Sequence, residues 1–119
     1  MTIDLATAIR VVVAGVWLVF GLGFKLLRLV PRHERIVARL LGERVAPWLT
    51  RLIGVGEILV GLWVLSAMAP TLCAATQTLL VVTMNAIELT KARDLLWSPR
   101  LMVLANVVLL AGAWWIAVG

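Results

Sequence analysis

The sequence predicts an all-α membrane protein: an antiparallel four-transmembrane-helix bundle with a short interfacial amphipathic helix between helices one and two. Three observations predict it. Of 119 residues, 63% are hydrophobic and only 14% charged, more apolar surface than a soluble domain of this size can hide. Four apolar runs, at 11–30, 52–69, 72–89 and 101–118, each approach the roughly 20 residues that a helix needs to cross the hydrocarbon. Period-2 alternation is missing from them, so helices, which satisfy their backbone groups internally, are expected rather than barrel strands.

The elements follow in order, within one domain spanning 1–119. A first helix is expected over about 8–30. Its apolar stretch is too long for a signal peptide and no small-x-small cleavage site follows, so a retained helix is expected. Pro31 suits the first turn of a helix. After it Ile36, Val37, Leu40, Leu41 and Val45 recur at helical spacing, while Arg32, Arg35, Arg39, Glu43 and Arg44 take other faces. This pattern predicts the interfacial helix over about 32–46, with Trp48 as an aromatic anchor. Helices two and three, about 52–69 and 72–90, form a hairpin through Pro70. Helix four, about 101–118, follows a connection in which Pro99 ends one element and starts another. Short connections favour antiparallel neighbours. Close packing is expected at Gly15, Gly21, Gly54, Gly61, Ala105 and Gly112.

The net charge of +5 does not indicate nucleic acid, because the basic residues sit between apolar runs. The expected partner is the lipid bilayer. Lys25, Arg28, Arg32, Arg35, Arg39, Arg44 and Arg51 flank or occupy the first connection, and Lys91, Arg93 and Arg100 the third. By the positive-inside rule both connections face the cytoplasm and both termini the outer side, as expected for a multi-pass protein of the bacterial inner membrane. Trp48 and Trp97 fit the inner boundary, Trp114 and Trp115 the outer one.

Polar groups within the spans are costly and therefore informative. Gly54, Glu57 and Gly61 share one face of helix two. Gln77, Val81, Asn85 and Glu88 form a stripe on helix three, Asn106 sits early in helix four, and Lys25 closes helix one on the face of Trp17 and Gly21. Topology brings Lys25, Glu57, Asn85, Glu88 and Asn106 to one depth, which predicts a polar pocket roofed by the interfacial helix with His33 near its start. Such a set can bind a polar head, relay a proton, or act as a structural network in which an ion pair fixes helix register. Trp17 and Trp63 lie deeper and are candidates to line an aromatic cavity, and Gln77 is a further pocket candidate. Cys73 is the only cysteine and His33 the only histidine, so neither a thiol pair nor a metal site is expected from this chain alone, and no catalytic residue is nominated.

These residues resemble the DoxX-like family of small four-helix bacterial membrane proteins. The resemblance rests on Trp17, Phe20-Gly21 and Lys25; on Pro31, His33 and Ile36-Val37; on Gly54, Glu57 and Gly61-Leu62-Trp63; on Gln77, Met84-Asn85 and Glu88; and on Asn106 and Trp114. The family takes its name from a membrane subunit of a thiosulfate:quinone oxidoreductase. The resemblance implies an accessory or ligand-binding component linked to membrane redox processes, with quinone as the cofactor class and a small amphipathic ligand, a protein partner or a second copy as companions. Two alternatives stand beside it. A small proton-coupled multidrug-type exporter has the right size, but those proteins carry their carboxylate in the first helix, where this chain has none. A non-catalytic assembly protein would use the same polar residues only to fix its bundle.

Overall fold

The computed structural model describes residues 4–27, 31–96 and 98–118. Helix α1 (Leu5–Leu18) is capped by Asp4, whose Oδ1 accepts the Thr7 N–H at 2.7 Å. It continues directly into a π-helical segment, Val19–Leu26, which completes the first span. Then come α2 (Pro31–Leu41), α3 (Ala46–Ser66), α4 (Pro70–Lys91), a 3₁₀ turn (Arg93–Leu95) and α5 (Pro99–Val118). The first span, α3, α4 and α5 are each long and apolar enough to cross a bilayer. The described residues thus form an all-α membrane bundle.

Several boundaries differ from those the sequence suggests, for identifiable reasons. The interfacial helix stops at Leu41 rather than 46, because Gly42 takes φ +100, a conformation open to glycine at little steric cost. The second span starts at Ala46 rather than 52. Pro47 lies in its first turn, where a missing N–H costs nothing, so it begins a helix instead of closing one. That span ends at Ser66 rather than 69, because Ala67 and Ala69 adopt left-handed φ values of 57° and 43°. The strained turn is held by Trp63, whose Nε1 donates to the Met68 carbonyl at 2.8 Å, and by Ser66 Oγ, which donates to the Trp63 carbonyl at 2.6 Å. Helices α4 and α5 each begin on proline. Arg28, the remainder of the first span at 28–30, and Trp97 lie outside the described residues.

The spans pack as a ring. Both halves of the first span lie along α3, α4 packs mainly on α5, α5 returns to α1, and a smaller α3–α4 contact completes the circle. The core is Val13, Ala14 and Trp17 of α1, Val60 and Val64 of α3, Cys73, Ala74 and Val81 of α4, and Ala113 of α5. Helix α2 lies across the π segment and α3, and its Arg39 pairs with Asp94 of the 3₁₀ turn. Both basic connections therefore meet at one end of the bundle, called the basic end below.

The tightest helix contact is between backbones. A methyl group at position 54 would lie 2.6 Å from the Gly21 carbonyl oxygen and 2.9 Å from the Leu26 nitrogen; one at position 21 would lie 2.6 Å from the Gly54 carbonyl oxygen. Gly61 similarly admits Leu18 and the Ala14 carbonyl of α1. Gly15, by contrast, has open space around it, and Ala105 is exposed, so neither serves the close packing expected of them. Gly54→Ala should therefore cost about 1–3 kcal/mol, since the obstructing atoms are backbone. Gly15→Ala should be neutral or stabilise by about 0.5–1 kcal/mol through helix propensity. Thermal unfolding of both variants in one detergent checks the pair.

Candidate functional site

The Gly21–Gly54 contact sets the site, because it brings the next turn of each helix within side-chain reach. Lys25, 4% exposed, donates from Nζ to Glu57 Oε1 at 2.6 Å, and Glu57 is 5% exposed. Lys25 Nζ also lies 5.8 Å from the Phe20 ring centroid, a favourable cation–π placement. Lys25 follows Gly21 by one turn in the π segment, and both are buried on the side that packs along α3.

Three further pairs tie the remaining helices together. Trp17 Nε1 donates to Gln77 Oε1 at 2.9 Å, linking α1 to α4 across the core. Asn106 Nδ2 donates to Asn85 Oδ1 at 2.8 Å, linking α5 to α4, and Trp114 Nε1 donates to Thr78 Oγ1 at 2.8 Å. Each pairs polar atoms with one another rather than leaving them to lipid, the first fully buried and the other two partly so, which is how polar groups persist in a membrane interior. Gln77 spends its other end on the Cys73 sulfur at 3.4 Å.

Between these pairs lies a chamber of about 120 Å³ lined by Trp17, Lys25, His33, Glu57, Asn85, Glu88 and Asn106, together with Phe20, Met84 and Met102. His33 enters from α2. Its ring stacks on Phe24 with centroids 5.8 Å apart and planes 24° apart, and meets Phe20 edge-on at 6.1 Å. Among the described residues, Glu57 Oε2 and His33 Nε2 are buried without a hydrogen-bond partner. The chamber shares His33, Glu88 and Asn106 with a second cavity of about 950 Å³ between α1 and α5. That cavity is apolar along most of its length, from Ala8 and Trp115 at one end to Arg32 and Ser98 at the basic end. The stretch from Ala8 to Phe24 spans roughly 25 Å at about 1.5 Å per residue, close to the ~30 Å thickness of the hydrocarbon.

The candidates named from sequence are thus distributed unevenly. Lys25, His33, Glu57, Asn85, Glu88, Asn106 and Trp17 line one chamber. Gln77, 2% exposed, sits a layer deeper and serves the Trp17 contact. Trp63 is not part of the chamber lining: it lies in the last turn of α3, bonded to the α3–α4 turn beside a crevice of about 10 Å³. Sequence reasoning missed the α1–α5 cavity and the Phe20–Phe24 pair that receives His33. Phe20 and Phe24 are spaced i, i+4 and were the available signal; their rings meet edge-on at 4.7 Å.

The family model described as the DoxX-like family matches residues 14–114. No curated protein and no solved structure shows significant similarity to the chain.

Burial, reinforced by the nearby charges of Lys25 and Arg32, pushes the His33 imidazole down from 6.5 to about 3. The folded value lies below the unfolded one, so the unfolded chain binds a proton that the folded chain refuses. Stability should accordingly fall as pH drops from 6.5 towards about 3. As this is the only histidine, its ring resonances are directly assignable. They should stay those of the neutral form between about pH 8 and about pH 5; a midpoint near 6.5 would mean that the ring is not docked on Phe24.

Proposed function

Because the chain belongs to the DoxX-like family, we propose that this integral membrane protein is a non-autonomous component that holds an amphipathic ligand, a quinone or a lipid, for a membrane redox process. Catalysis then belongs to a partner protein. The bilayer is the bacterial inner membrane and the basic end faces the cytoplasm, the side to which the positive-inside rule assigns ten of the eleven basic residues. One observation carries the reading: a small polar chamber shares part of its wall with an apolar cavity nearly as long as the membrane is thick. His33, Glu88 and Asn106 stand where the two join. An amphiphile needs such a continuous pair of environments, with its head among a few polar groups and its tail along apolar wall. A cavity of about 950 Å³ is at the upper end of the roughly 300–1,000 Å³ typical of small-molecule sites.

The polar contacts also give the bundle its register, so the test must separate binding from folding. Two substitutions do so. Ala105→Phe fills the cavity from an exposed position on α5, and Asn85→Ala removes one amide contact whose loss costs about 0.6 kcal/mol in a membrane bundle. Both variants should reach the membrane at normal levels and elute as the wild type does. Each should retain a prenylated quinone, offered both oxidised and reduced, at least ten-fold less tightly in the form that wild type binds, by native mass spectrometry in nanodiscs. Retention equal to wild type in both variants would assign the polar cluster to bundle assembly instead.

A further inference from the structure

We infer that the ligand's head is uncharged and carries a hydroxyl, and that anionic headgroups are refused; this deepens the ligand-binding reading above and rests on it. Two observations lead there. The first is the charge around the polar chamber and its mouth. Among the described residues, the ionisable groups that line them other than the neutral His33 are Lys25, Arg32, Glu57 and Glu88. With all four ionised their charges cancel, and the Lys25 ammonium is already engaged by Glu57 at 2.6 Å. Among these described groups a phosphate head would find no net surplus of cations, since Arg32 shares the mouth with Glu88, and like charges at close range cost most where water is excluded. An uncharged head meets no such barrier.

The second observation is the unfilled hydrogen-bonding capacity. Glu57 is more than nine-tenths buried, lines the chamber, and its Oε2 has no partner among the described residues. A buried carboxylate oxygen left so is expensive, and it accepts but cannot donate. The group that completes it must therefore bring a proton on oxygen or nitrogen. A carbonyl, an ester or a fully ionised phosphate offers acceptors only. A hydroxyl donates to Glu57 Oε2 and still accepts from the neutral His33 ring, whose Nε2 is the other buried unpartnered atom at this site. Lipid alcohols and long-tailed hydroquinones share this chemistry.

Three probes with one tail test it: geranylgeraniol, a geranylgeranyl hydroquinone kept reduced, and geranylgeranyl phosphate. Each is titrated by native mass spectrometry against wild type and Glu88→Gln in nanodiscs. At least one hydroxylic head should bind wild type ten-fold or more tighter than the phosphate, and the tighter of the two identifies the source. Glu88→Gln leaves the lining with one net positive charge. It should raise phosphate affinity at least ten-fold. Phosphate binding to wild type as tightly as the tighter hydroxylic probe, or no gain for phosphate in Glu88→Gln, would overturn the inference and leave the ligand-binding reading standing. If no probe binds, both fall.

Discussion

Two opposite charges placed side by side inside hydrocarbon constrain everything else in this bundle. Removing an ammonium or a carboxylate from water costs several kcal/mol per ion even after relaxation, and the loss is recovered only with close geometry. Lys25 and Glu57 achieve it at 2.6 Å, but only because the helices carrying them touch backbone to backbone at Gly21 and Gly54. A side chain at either position would push the helices apart and strand both charges. Glycine and lysine, one turn apart in the π segment, are buried together on the side that packs along α3.

From this clamp the site follows outward. The first span and α3 form a firm pair, and α2 is laid over their basic end, where His33 docks on Phe20 and Phe24. Helices α4 and α5 form a second pair joined by Asn85–Asn106 and Thr78–Trp114. Helix α5 contributes only Ala113 to the core among the described residues. The looser α1–α5 seam is where the large cavity lies, and at its basic end the polar groups of both pairs meet.

Much of this was legible in the sequence because membranes simplify the code. Length and hydropathy alone identify the four spans, and the depth of Glu57, Asn85, Glu88 and Asn106 follows from topology once the basic connections are assigned to one side. Boundaries were less legible wherever one residue has two meanings. Pro47 could end the interfacial helix or begin the next span, and Gly42, by taking a left-handed conformation, decided for the second. Asp4 capped a helix that hydropathy alone starts later. Trp63 reads as deep by its apolar neighbours, yet it pins a turn through a hydrogen bond whose acceptor is a backbone carbonyl, which no residue pattern signals. The α1–α5 cavity was invisible for a related reason. A void is a property of two surfaces that fail to meet, and Ala105 looks like a packing residue until its surroundings are known.

The most direct test of the clamp is a double-mutant cycle on Lys25→Met and Glu57→Met, with unfolding followed in lipid bicelles. Each single change should cost about 3–5 kcal/mol by leaving one buried charge unpaired, and the double variant should cost far less than the sum. Additive losses, or single variants as stable as wild type, would contradict the account.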